Sequence, residues 1–380
     1  MAAGTALVPA WLAASCERLV KPGSRRKLVV IQLAGGSDGL NVIAPVGDPR
    51  YRALRPEIGL RHGEGPAIGS GLAWNPAAAP LAQLQDAGHL HVLQAVGYPN
   101  PHRSHFRSQD VWESASLEIT GTSRGWIGRY LDRECPGAPS HKAVSMTSAV
   151  PLALRGEDST GFAYGDLGRT QKHLRTVGTQ APPTIPGLPP DDYVTKVFRQ
   201  TEESANYLTA LSSRRQPSVA FPKTDIGRHL RQIATLLLAD AETDFYYAVH
   251  GGFDTHAAQA GKHADRIGEY SEAMLAFTRE LQRARLFDDT LVLTFSEFGR
   301  RAEQNSSLGT DHGKANLAWL IGGRVRQGSA RALVPDLGSL DEGDLAMRID
   351  FRSIYATIVS RWLGEPHVDL VGDYPILDFI

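Results

Sequence analysis

Short β-branched runs that stop at glycine, separated by stretches with helical spacing, constrain this chain most. Lys27–Leu33 (KLVVIQL) is a nearly continuous apolar run that ends just before Gly35 and Gly36. A strand apolar on both sides must be covered on both sides, as in an open sheet with helices above and below it. His89–Val96, Asp244–Val249 and Thr290–Phe295 repeat the pattern, each followed by a loop rich in glycine or polar residues. Ile226–Ala239 and Ile267–Leu286 place apolar residues three and four apart, and Phe351–Leu363 is a third such stretch. The alternation predicts an α/β fold with a largely parallel open sheet and helices on both faces.

With 380 residues the chain can bury one large core. Residues 25–380 are expected to form one α/β domain, interrupted by a cap or insertion at about 156–223. There the proline cluster Ala181–Pro190 and scattered threonines replace strand-like runs, and one helix is expected near Tyr193–Ser212. Arg324–Leu340 reads as a loop with at most one short strand. Ala2–Ala14 is small and apolar ahead of the basic stretch Lys21–Lys27, so residues 1–24 are read as an export-signal remnant, too short to span a bilayer. Forty basic against 41 acidic residues leave a net charge of −1, which excludes a global field for nucleic acid or an anionic membrane. Cys16 and Cys135 are the only cysteines, so neither a disulfide framework nor a cysteine-rich zinc cage is available.

Oxygen and imidazole groups sit where the strands end, and in open α/β sheets ligands bind beyond the carboxyl ends of the strands. Asp38 follows the first run through Ala34-Gly-Gly-Ser37. Asp254 and His256 lie in His250-Gly-Gly-Phe-Asp-Thr-His256, spaced so that both face one way in extended chain. Glu297 follows a run that should be buried, where a carboxylate must be paired, protonated or metal-bound. The bland alternative for Glu297 is an ion pair with Arg300, and His250 is read as packing or orienting a ligand. Asp311 and His312 precede Gly313 in a polar loop. A carboxylate and imidazole set without cysteine suits a catalytic divalent metal: zinc, manganese, magnesium or calcium, as one or two ions. Pro101-His-Arg-Ser-His-Phe-Arg107 offers Ser104 as a nucleophile, activated by a metal or by His105, with Arg103 and Arg107 for an oxyanion, and Arg300 is counted with them as a catalytic residue. The same string also reads as a helix start with Ser104 at the N-cap.

These motifs together resemble the bacterial family known as domain of unknown function 1501, placed in the alkaline phosphatase superfamily. The resembling residues are Gly35-Gly-Ser-Asp-Gly-Leu-Asn41, Arg103-Ser-His-Phe106, His250–His256, Ser296-Glu-Phe-Gly-Arg300, Thr310-Asp-His-Gly313 and Asp350-Phe-Arg352. The resemblance implies an alkaline phosphatase-like core and export by the twin-arginine route, hence a periplasmic or secreted protein. It also implies one metal held by Asp254, His256 and His312. A second would be held by the first-strand aspartate, an Asp-His pair and the nucleophile. Asp38 and Ser104 match two of those roles, but the pair reads Glu297-Phe298, and phenylalanine coordinates nothing. Three arrangements remain for that side: a single hard cation, a site completed by His105, or no ion.

The expected function is metal-dependent hydrolysis of a phosphate or sulfate ester, with a small-molecule or glycan ester as substrate. Two alternatives stand beside it. One is an exported, non-catalytic protein that binds a metal or an anionic glycan in cell-surface assembly; the other is a phosphoryl transferase or mutase of the same superfamily.

Overall fold

The computed structural model describes residues 26–69, 71–118, 124–165 and 193–380. The export-signal reading, Cys16 and the proline cluster 181–190 lie outside the described residues. The main sheet is built from β1 (Lys27–Leu33), β2 (Leu90–Gly97), β3 (Ala143–Ser145), β4 (Phe162–Ala163), β5 (Phe245–His250), β6 (Thr290–Phe295), β7 (Asn316–Ile321) and β8 (Ile349–Asp350). Their spatial order is β8-β2-β7-β6-β1-β5-β3-β4. β1 pairs in parallel with β5 and β6, β3 with β4 and β5, and β8 with β2. β7 alone runs antiparallel, between β2 and β6. The sheet is therefore largely parallel, as the alternation predicts.

Helices α1 (His105–Ser114), α2 (Trp126–Glu134), α3 (Tyr193–Ser212), α4 (Asp225–Leu238), α5 (Gln259–Ala284) and α6 (Phe351–Thr357) cover it. Side chains alternate across a strand, so the β1 run feeds two cores. Val29, Ile31 and Leu33 pack with Ile226, Leu230 and Ile233 of α4 and with Ile267, Tyr270, Met274 and Phe277 of α5. Leu28 and Val30 join the opposite core with Val111 and Trp112 of α1, Leu131 of α2, and Ile354 and Tyr355 of α6. Every side chain of β1 from Leu28 onward is buried, which is why the sequence shows a run and not an alternation.

Several elements depart from the sequence reading for physical reasons. α5 begins at Gln259, well before the predicted Ile267, because its first turns bury the polar residues Gln259 and His263, which a hydrophobic period does not register. The predicted helix Phe351–Leu363 is regular only to Thr357 and widens into a π-type turn over Ile358–Leu363. Within the expected cap, β4 forms the outer strand of the main sheet, and Ala205, Leu208 and Leu211 of α3 bury in the α4–α5 core. Among the described residues no helix is long and apolar enough to cross a membrane.

The topology decides where chemistry can gather. β1, β2, β5 and β6 all end at one edge, and β7, being antiparallel, begins there. The loop before β7 therefore meets the loops that follow the others.

Candidate metal centre

Two glycines let the loop after β1 lie against its neighbours. Gly35 has φ +114°, and a Cβ on it would lie 2.5 Å from the backbone nitrogen of Asp254. Gly36 has φ +70°, and its Cβ would enter the Phe298 ring. Only glycine tolerates both the positive φ and the close approach.

Asp254 stands at the centre of the cluster. Its Oδ1 lies 3.0 Å from His256 Nε2 and 3.1 Å from His312 Nε2, and its Oδ2 lies 3.4 Å from His105 Nε2. The two Nε2 atoms of His256 and His312 are 2.9 Å apart. His105, Asp254 and His312 offer ligand atoms that all fall within 4.8 Å of one another. Burial raises the Asp254 carboxyl, but hydrogen bonds from Arg300 and His312 and the nearby charges outweigh it and hold the group down at about 2.

Each histidine has its other ring nitrogen spoken for by an oxygen. His105 Nδ1–H donates to Glu297 Oε1 at 2.8 Å, His256 Nδ1–H to Asp311 Oδ1 at 3.1 Å, and His312 Nδ1–H to the carbonyl of Arg103 at 2.8 Å. All three Nε2 atoms face the Asp254 carboxylate: a ring protonated at both nitrogens donates to it, and a ring protonated only at Nδ1 presents a lone pair. Protons on the rings or a single cation among them must balance such a set. The separations of 2.9, 3.0 and 3.1 Å are hydrogen-bond distances, slightly shorter than the edges of about 3.3 Å in a tetrahedral shell with bonds of about 2.0–2.1 Å. His105 Nε2 is buried and has no hydrogen-bond partner, which suits a metal ligand. The Glu297 hydrogen bond raises the His105 pKa above its ordinary value, against the effect of burial.

Glu297 and Asp311 thus face the backs of imidazoles. Glu297 is almost fully buried, and its Oε1 also accepts the Gly35 N–H at 2.8 Å. It pairs with His105; Arg300 pairs instead with Asp254 Oδ1 at 2.8 Å. Arg300 spends its remaining donors on the carbonyls of Gly35, Gly36, Phe253 and Thr310, which makes it the clamp that gathers three loops around Asp254. His250 donates from Nε2 to the Arg266 carbonyl at 2.9 Å and packs edge-on against Phe253, so it anchors the Asp254 loop to α5.

Asp38 turns elsewhere. Its Oδ2 accepts from Arg55 at 2.6 Å and from Gln259, and its backbone N–H donates to His263 Nε2 at 3.1 Å. Both partners of the Asp38–Arg55 pair are buried. Burial alone would raise the Asp38 pKa, but the Arg55 charge and hydrogen bond carry it below the usual carboxylate value. Arg55, Gln259 and His263 escaped the sequence reading, although Gln259 and His263 are four apart on one face of α5.

Ser104 occupies the N-cap position of α1 with extended backbone, yet its side chain makes no capping hydrogen bond. Trp112 stacks on Phe295 at 4.5 Å and on Phe351 at 4.4 Å, which fixes α1 so that its first residue, His105, faces the cluster. Arg103 is held by Asp344 at 2.6 Å, and Arg107 is half-buried on the first turn of α1. Phe298, where the two-metal pattern has a histidine, packs its ring against His105 at 4.8 Å and His312 at 4.5 Å. An aromatic wall thus stands beside the cluster.

Residues 194–366 match the model of the family described as "Protein of unknown function (DUF1501)". No curated protein matches the chain. Among solved structures it is similar to the zinc complex of the C-terminal periplasmic domain of EcEptC from Escherichia coli, with 11% identity over 78% of this chain and 72% of that one and a TM-score of 0.32. A protein in the alkaline phosphatase superfamily from Vibrio parahaemolyticus shares 9% identity over 93% and 71% of the two chains, with a TM-score of 0.41. The PsFucS1 sulfatase from Pseudoalteromonas sp. shares 12% over 96% and 73%, also at 0.41. At these scores the chemistry rests on the side chains themselves.

Proposed function

We propose that this chain is a metal-dependent hydrolase of a phosphate or sulfate ester, with one divalent cation held by His105, Asp254 and His312 and with His256 beside Asp254 and His312. The observation that carries the reading is the shared orientation of three imidazoles, each tied through Nδ1 to an oxygen and each aiming Nε2 at Asp254. A carboxylate or carbonyl behind a ligating histidine fixes its tautomer and raises its basicity. Zinc and manganese suit such a set better than calcium, which takes oxygen ligands. The cation, when bound, polarises the ester oxygen and lowers the pKa of an attacking hydroxyl.

The chain's own residues do the rest. Ser104, its hydroxyl unused by the cap, is the nucleophile of this reading, or else orients a water. With Arg103 and Arg300 committed to Asp344 and Asp254, the anion would fall to Arg107 and the first amides of α1. Phe298 excludes water and leaves no imidazole for a second ion. The substrate would be a small-molecule or glycan ester, and a periplasmic or secreted location follows from the resemblance alone.

The commitment of both arginines also favours a second reading, a non-catalytic protein that binds a metal or an anionic glycan. Phosphoryl transfer to an alcohol would use the same residues with another acceptor. Protein stripped of metal and assayed on aryl phosphates and aryl sulfates, with and without zinc or manganese, tests the proposal. Turnover should depend on metal and vanish in His312→Ala. No turnover on either class of ester overturns hydrolysis and leaves the binding reading.

A further inference from the structure

Leu340–Asp341 and Asp344–Leu345 form a two-stranded hairpin whose turn residues, Glu342 and Gly343, both have positive φ. That is the two-residue turn whose twist matches paired strands. The hairpin sits outside the main sheet, yet each of its acidic residues grips a basic residue close in sequence to the metal centre. Asp344 Oδ2 accepts from Arg103 at 2.6 Å, two residues before His105. Lys314, two residues after His312, lies 2.8 Å from Asp341 and 3.1 Å from Glu342. Arg301, next to Arg300, donates to the Glu342 carbonyl at 2.6 Å, and its Nε stands 3.7 Å from Asp344 Oδ1.

Asp344 is the unusual member, because its side chain is fully buried while its partner Arg103 is partly exposed. A buried carboxylate costs several kcal/mol of desolvation that ion pairs with partly exposed arginines seldom repay, so stability alone is a poor reason for an aspartate there. Its geometry gives another. The carbonyl of Arg103 accepts the His312 Nδ1–H at 2.8 Å, so the residue whose side chain Asp344 fixes is the residue whose backbone fixes His312.

We infer that Asp344 is a positioning residue for the metal centre, acting through Arg103 to hold the His312 ring with Nε2 toward Asp254. The inference rests on the metal-centre reading above. Partners behind a metal-ligating histidine typically contribute a factor of about 10–100 in metal affinity, and Asp344 stands one residue behind such a partner.

Full-length wild type, Asp344→Asn, Arg103→Gln and Asp341→Asn, each freed of metal, are titrated with cobalt(II) while the visible d–d band is recorded, and unfolding of each metal-free variant is followed in urea. Asp344→Asn and Arg103→Gln should weaken cobalt binding by about tenfold or more and alter the band, as expected for a disturbed histidine ligand. Asp341→Asn, which loosens the hairpin without touching Arg103, should bind cobalt as wild type does. Should Asp344→Asn fail to fold, Arg103→Gln carries the same expectation. Unchanged affinity and spectrum in Asp344→Asn or Arg103→Gln overturn the inference, as does an equal loss in Asp341→Asn. Failure of wild type itself to bind cobalt overturns the metal-centre reading and this inference with it.

Discussion

Replacing Arg55 by methionine should destabilise the protein by an amount that depends on pH in a calculable way. Arg55 and Asp38 are buried together, and Asp38 keeps only Gln259 as a side-chain donor once the guanidinium is gone. A carboxylate left in that position has two options: to stay ionised without a counter-charge, or to take up a proton. Protonation sets the ceiling on the electrostatic penalty. With an unfolded-state pKa of about 3.9, holding the acid neutral costs about 4 kcal/mol at pH 7 and about 1.5 kcal/mol at pH 5.

The sign follows from linkage. In wild type the folded Asp38 pKa is depressed, so its contribution is present above the unfolded value and is lost as pH falls through the folded one. In Arg55→Met the folded pKa is raised, and the penalty shrinks as pH falls toward the unfolded value. The difference between the two proteins should therefore be largest near neutrality and smaller by about 2–3 kcal/mol at pH 5. Arg55 also donates to the carbonyls of Arg301 and Ala302, and those losses add an amount independent of pH. Urea unfolding of both proteins at pH 7 and pH 5, with metal chelated, measures the difference. A penalty equal at the two pH values would refute the assignment of Asp38 as a buried ion-pair partner.

Three further outcomes are expected. Glu297→Gln keeps the shape of the group that holds His105 Nδ1 but removes its charge, so metal affinity should fall about 10–100-fold by titration calorimetry. Gly36→Ala forces a side chain into positive φ and into the Phe298 ring, which should lower stability by about 1–3 kcal/mol in urea and weaken metal binding through displaced Phe298. Glu280 accepts the backbone N–H groups of Ser218 and Val219 and pairs with Arg283; burial would raise its pKa, but these partners lower it. Its contribution is present above about pH 4.3 and is lost as pH falls through the lowered folded value, so Glu280→Gln should narrow its deficit against wild type in acid.

The fold was legible where burial is apolar and continuous. β1 and β6 coincide with Lys27–Leu33 and Thr290–Phe295, and α3 coincides with Tyr193–Ser212, because packing against two layers leaves a contiguous apolar run or a clean helical period. The two-residue strands β4 and β8 are too short to carry a pattern, and the start of α5 is hidden by polar residues buried for Asp38. At the candidate centre, the motif spacing named His105, Asp254, His256 and His312, which the structure brings together, but it could not rank them against the other candidates. Asp38, Glu297 and Asp311 look alike in sequence, each a carboxylate in a loop near a strand, and the structure gives them a guanidinium, an imidazole back and another imidazole back. That division depends on partners distant in the chain, Arg55 for Asp38 and His105 for Glu297, which no local spacing encodes. The antiparallel β7 matters for the same reason: by entering the sheet at the edge where β5 leaves it, it sets His312 opposite Asp254, so the direction of one strand determines whether the imidazole and carboxylate can share an ion.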